Sequence, residues 1–204
     1  MKTHYKHTNY LEHKMAAAKS LTPADIERVL QHIHDNANAQ RNRCMFLVSV
    51  MAGLRVSEIA GLTLADVRAA DGEIKSEIYL SAERVKHKHA RTVYVSSRLQ
   101  HELSQYLAAV HWVSDAQPLF HPFNARRRHF TPNTLAQHFY WMYKRAGVVS
   151  ASSHSGRKTF CSSLASQGIS PYVIASLAGH KSIQTTMRYV TCNDDIKRRA
   201  VELV

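Results

Sequence analysis

The 204-residue chain predicts a mainly α fold with one small antiparallel β-sheet, an α+β arrangement. Three observations carry this. Apolar residues recur at helical spacing in stretches of both halves. Several of those stretches open on Thr-Pro or Ser-Pro and stop at glycine. Strand-like composition is confined to two neighbouring segments around residues 73–96.

The first twenty residues are polar and rich in His and Lys, and are expected to form a loose basic tail ahead of one domain over 21–204. Thr22-Pro23 is an N-cap followed by a first-turn proline, and Ile26, Val29, Leu30 and Ile33 then share a face. Cys44, Leu47, Val48 and Met51 form a second stripe, closed by Gly53. Asp71-Gly72 is a turn, and Glu73–Leu80 reads as a strand. Arg91–Ser96 (RTVYVS) has β-branched and aromatic residues at strand density. Ser81–Ala90, polar and basic, is expected to be the hairpin loop between them. Thr131-Pro132 opens a helix carrying Leu135, Phe139, Met142 and Tyr143. Ser155–Gln167 carries Phe160 and Leu164 up to Gly168, and Ser170-Pro171 opens a helix with Ile174 and Leu177 that stops at Gly179. A last helix, Asp194–Val204, places Ile196, Ala200 and Leu203 on one face.

Composition narrows the partners. The formal net charge is +12 before fourteen histidines are counted. Such a chain suits a polyanion, because each phosphate met by Lys or Arg releases condensed counterions; a merely soluble basic protein is the other reading of charge alone. The longest apolar stretch, Cys44–Leu54, is too short for a membrane span. The amino-terminal stretch lacks the apolar centre of a secretory signal, so the cytoplasm is the expected location. Cys44, Cys161 and Cys192 are odd in number and contain no C-x-x-C pair, as expected of reduced thiols rather than a zinc site or disulfides.

Four segments carry candidate chemistry. In Gly53-Leu54-Arg55-Val56-Ser57-Glu58, the acid three residues on would lie beside Arg55 and hold its guanidinium. Val85-Lys86-His87-Lys88-His89-Ala90-Arg91 is a basic hairpin tip of the kind that meets phosphates. In His154-Ser155-Gly156-Arg157-Lys158, an imidazole at a helix start is followed one turn later by a guanidinium, a pairing suited to an anion. The fourth segment runs from Leu177-Ala178-Gly179-His180-Lys181 to Tyr189, one of nine tyrosines.

In this order and spacing the segments resemble the catalytic domain of tyrosine recombinases, the phage integrase family, over residues from about 22 to 204. The family's G-L-R-x-S-E arginine is matched by Arg55. Its hairpin lysine, five residues before an R-x-V strand, is matched by Lys86 before Arg91. Its H-x-x-R box is matched by His154 and Arg157. Its L-x-G-H box, with a tyrosine nine residues past the histidine, is matched by His180 and Tyr189. The resemblance implies the recombinase catalytic-domain fold and a site-specific recombinase of integrase or invertase type, acting on double-stranded DNA and forming a tetramer at synapsis. Tyr189 would attack the backbone to form a 3′-phosphotyrosyl link, which a free 5′-hydroxyl later reverses without ATP.

Physical chemistry fits those roles. The transition state gathers negative charge, and two permanently charged planar forks, Arg55 and Arg157, can hold the non-bridging oxygens. His180 would donate a further hydrogen bond. A phenol with a pKa of about 10 needs a base, for which His154 is the candidate by analogy, and the leaving 5′-oxygen needs an acid, for which Lys86 is. Lys88 is the rival acid, and the spacing to Arg91 favours Lys86. Glu58 supports Arg55, while Lys88, Arg91, Lys158 and Lys181 are expected to touch DNA. Neither metal nor cofactor is called for, since the arginines supply the positive charge.

The chain departs from its relatives in length. Most carry a helical core-binding domain where this chain has some twenty residues. Either it belongs to a short subgroup, similar in length to the fimbrial DNA invertases, or an amino-terminal half is missing. The last helix, within 190–204, has two expected docking places: its own domain or a neighbouring protomer. A type IB topoisomerase-like enzyme and a catalytically silent DNA-binding regulator of the same fold are the competing functions.

Overall fold

The computed structural model describes residues 18–83, 90–122, 128–190 and 194–202. Most of the expected basic tail, and the part of the hairpin loop holding Lys86 and Lys88, lie outside the described residues.

The first helix, α1 (Pro23–His34), opens through a reciprocal cap. Asp25 N donates to Thr22 Oγ1 (3.1 Å) and Thr22 N to Asp25 Oδ2 (3.0 Å), which satisfies backbone donors left over at a helix start. Asp25 is buried, which pushes its carboxyl up. Lys19, the Thr22 backbone and Arg28 outweigh that and hold it well below the ordinary carboxylate range.

The expected single stripe on α2 (Ala39–Met51) is a much wider buried surface. Cys44 through Ser49 are all buried, as in a helix enclosed on most sides. It packs against α1, α3 (Val56–Ala60), α5 (Ser97–Ala108) and α7 (Ser155–Ser166).

A short α4 (Leu64–Val67) leads to the sheet. β1 (Glu77–Leu80) pairs antiparallel with β2 (Arg91–Tyr94), with Ile78 opposite Val93 and Leu80 opposite Arg91. Ile78, Leu80 and Val93 face the core, while Tyr79 and Tyr94 face out, the period-2 alternation of a half-buried sheet. Both strands are shorter than predicted. Before β1, the backbones of Glu73 and Lys75 are committed to the exit of α4, with Ala69 N donating to Glu73 O and Lys75 N to Val67 O (both 2.8 Å), while Ser76 O still accepts from Val95 N (2.7 Å). At the other end, Ser96 turns the chain into α5 by accepting from Leu99 N.

The unpredicted α5 buries Leu99, Leu103 and Tyr106. α6 (Pro132–Arg145) buries the four apolar residues read from its sequence. After α7 come α8 (Pro171–Ala178), a short α9 (Ile183–Met187) and α10 (Asp194–Val201). The apolar interior has two parts. The larger is centred on α2 and α6. The smaller joins Cys161, Ala165, Ile174 and Ala178 to Phe160, Leu164, Tyr189 and Val190. Cys44 and Cys161 are buried free thiols, and Cys192 lies outside the described residues. Among the described residues no helix is long and apolar enough to cross a membrane.

Candidate active site

The site is organised by the end of one helix. The last carbonyls of α8 have no partner within the helix, and they carry the negative end of its dipole. Three consecutive ones are met by three arginines from distant parts of the chain. Arg91 Nη1 donates to Leu177 O (2.6 Å), Arg157 Nη2 to Ala178 O, and Arg55 Nη2 to Gly179 O (2.7 Å).

Each arginine is fixed a second time. Arg55 precedes α3 in extended conformation, and Glu58, one turn on, grips it twice: Oε2 accepts from Arg55 N (2.7 Å) and Oε1 from Arg55 Nη1 (2.8 Å). The same Oε2 accepts from Arg91 Nη2 (2.8 Å), so one buried carboxylate bridges two guanidiniums. Burial alone would raise the Glu58 pKa; the charge of Arg91 and the bonds from Arg55 pull it below its ordinary value. Arg157, on the first turn of α7, donates Nη1 to Gly53 O (2.6 Å). Burial, followed by the nearby charge of Arg55, lowers its pKa to about 10, which leaves it cationic at neutral pH.

Two glycines make this packing feasible. Gly53 (φ +62°) and Gly179 (φ +62°) are in the left-handed region that glycine enters at no steric cost. A Cβ on Gly53 would fall 2.4 Å from the Phe160 ring, and one on Gly179 would fall 2.5 Å from Arg91 Cδ.

His180 leaves α8 directly after Gly179. Its ring lies nearly parallel to that of Tyr189, at 18° with centroids 6.0 Å apart, and its Nδ1 is 2.8 Å from Thr186 Oγ1. Burial and then the charges of Arg157, Arg55 and Arg91 push His180 down to about 4, so it is neutral at pH 7. Tyr189 is half-buried, and burial raises its pKa against the opposing pull of Arg157, Arg188 and Arg55; the phenol therefore keeps its proton until a base removes it.

Of the residues singled out in the sequence, the fold brings Arg55, Glu58, Arg157, His180 and Tyr189 around one helix end. His154 stands exposed at the start of α7, one turn before Arg157. Lys158 is half-exposed and Lys181 exposed. Arg91 differs from its expected place at the DNA surface. Its side chain is 8% exposed, and Nη1 and Nη2 are both committed inside the protein. The signal was present in the strand pattern, because Arg91, Val93 and Val95 share one face and both valines are core. Thr186 and the α8 carbonyls were also missed, since no local pattern marks a residue that works through another.

Comparisons with known proteins bear on the family and the fold. The model of the phage integrase family matches residues 19–195. The tyrosine recombinase XerC of Thermodesulfovibrio yellowstonii is 30% identical over 185 residues, covering 86% of this chain and 58% of its own length. The tyrosine recombinase XerA of Pyrococcus furiosus is 27% identical over 187 residues, covering 90% of this chain and 61% of its own length. The chain thus spans about three fifths of these relatives. Among solved structures, a XerA recombinase superposes with a TM-score of 0.70 at 23% identity, over 93% of this chain and 66% of that one. The catalytic domain of bacteriophage HP1 integrase gives 0.59 at 23% identity, over 85% and 87%. The fold is that of recombinase catalytic domains.

Proposed function

Because this chain belongs to the phage integrase family, we propose that it is a site-specific recombinase that cuts and rejoins double-stranded DNA through a 3′-phosphotyrosyl intermediate. One observation supports this above others: a tyrosine stacked on a histidine, beside arginines braced against a single helix end. Such an arrangement suits an anion that gains charge during reaction. The donors are already oriented, so little reorganisation is needed as the pentavalent phosphorus forms.

In this mechanism Tyr189 Oη attacks phosphorus and the bond to the 5′-oxygen breaks. Arg55 and Arg157 hold the non-bridging oxygens through N–H donors beyond those bonded within the protein, and His180 donates to one of them. His154 takes the phenolic proton, and Lys86 supplies a proton to the departing 5′-oxygen. Attack by another strand's 5′-hydroxyl reverses these steps. Lys158 and Lys181 contact the backbone, and four protomers meet at synapsis.

The test is a nicked duplex that loses its 5′-hydroxyl fragment after cleavage and traps the adduct. Wild-type protein should become covalently attached, and Tyr189→Phe should form no adduct while binding the duplex within about threefold, since it removes one hydroxyl. An adduct with the Phe variant would refute Tyr189 as nucleophile. Relaxation of supercoiled plasmid without recombinant product on paired sites would point instead to a topoisomerase.

A further inference from the structure

Thr186 touches both partners of the His180–Tyr189 pair and has so far no role. It is fully buried on α9. Its Oγ1 lies 2.8 Å from His180 Nδ1, while its backbone carbonyl accepts from Tyr189 N at 2.9 Å. One residue therefore fixes the imidazole through its side chain and starts the turn that presents the tyrosine.

A neutral imidazole carries a single N–H, and the partner at one nitrogen decides which nitrogen holds it. His180 is surrounded by Arg157, Arg55 and Arg91, with Tyr189 stacked on its face. A ring in such a cationic cluster stays neutral, so its tautomer determines what it offers a phosphate. With the proton on Nδ1, the nitrogen across the ring would turn a lone pair towards the anion's oxygens and repel them. With the proton on Nε2, it would donate.

We propose that Thr186 is a positioning residue that donates its hydroxyl proton to Nδ1 of His180, holding the ring's N–H on Nε2 for the scissile phosphate. Threonine suits the task because its hydroxyl can act as donor, and its β-branched side chain is restricted at χ1. The inference rests on the phosphodiester-cleaving reading of the site, but the tautomer can be measured without it.

The test uses the full chain labelled with 15N-histidine, with His180 assigned by comparison with His180→Gln. Long-range 1H–15N correlation at neutral pH should show a pyridine-like Nδ1 and a pyrrole-like Nε2 in wild type and in Thr186→Ser, which keeps the hydroxyl. Thr186→Val, of nearly equal volume, should shift both nitrogens towards a tautomer mixture. In single-turnover adduct formation it should slow cleavage about 10-fold, the worth of one hydrogen bond at a reacting group, with duplex binding unchanged and Ser within about 3-fold. A pyrrole-like Nδ1 in wild type would overturn the proposal, as would unchanged His180 signals or an unchanged cleavage rate in Thr186→Val. If the Val variant does not fold, the wild-type tautomer and the Ser variant still decide. Expected tautomers in a protein that forms no adduct would leave the Thr186 assignment standing at the ring and remove the recombinase reading instead.

Discussion

A guanidinium has five N–H donors and cannot give up its charge, so a buried arginine is tolerated only where acceptors and a counter-charge meet it. Arg91 satisfies this with Leu177 O and Glu58, while its Nε is buried without a hydrogen-bond partner. Glu58 in turn depends on Arg91, whose charge is the largest influence opposing the effect of burial on its carboxyl. Removing Arg91 takes away that charge and leaves Leu177 O without its donor, while Arg55 still pairs with Glu58. Arg91→Ala is therefore expected to destabilise the fold by about 1–3 kcal/mol, read as a lower urea midpoint with an unchanged slope. A DNA-contacting arginine would behave differently, since its loss would weaken binding and flatten the salt dependence while leaving stability within about 0.5 kcal/mol. Equal urea midpoints for Arg91→Ala and wild type would return Arg91 to the surface role.

At the scale of elements, what was legible in the sequence was whatever is encoded locally. Thr22-Pro23 and Thr131-Pro132 announce α1 and α6 because a cap and a first-turn proline act on neighbouring backbone. The first strand was over-read because Glu73 and Lys75 sit in a strand-like stretch but make their hydrogen bonds with the exit of α4, a tertiary choice that composition does not encode. The five-residue α9 was missed because it is too short to show a period. The role of α8 was half-legible. Gly179 could be read as its stop, but not the three arginines that gather on its carbonyls, since their separation in sequence hides their meeting. That gathering makes Gly179 a sensitive position. In Gly179→Ala the left-handed φ costs about 1 kcal/mol, and the new Cβ must displace the Arg91 stem 2.5 Å away. Cleavage is expected to fall more steeply than stability, because Arg55 is held by this residue's own carbonyl. A variant that lost about 1 kcal/mol but cleaved at the wild-type rate would show that the arginines do not depend on this turn.

Across the whole molecule, the same burial that braces the site makes the fold sensitive to acid. His138 on α6 is pushed down to about 4, by burial first and then by Arg41 and Arg145, and it is hydrogen-bonded to Asn42 (3.1 Å). His180 is also at about 4. Unfolded, each takes a proton below about pH 6.5; folded, each refuses it until about pH 4. The unfolded state thus binds more protons throughout that window, and stability falls as pH falls, by up to about 1.4 kcal/mol per pH unit for a fully effective group. His180 is only half-buried and contributes less. Glu58 acts in the same direction further down: its lowered pKa gives stability that is present above the ordinary carboxylate value and lost as pH drops through the folded one. Protonation also adds to a chain already at +12, so self-repulsion reinforces the trend. Urea midpoints are expected to decline steadily from pH 7 to pH 4.5, with net proton uptake on unfolding near pH 5. His138→Gln keeps an amide able to bond Asn42 but cannot titrate, so its uptake should be smaller by about one proton and its decline shallower. An identical pH dependence for His138→Gln and wild type would mean that His138 titrates in the folded protein as it does in the unfolded chain.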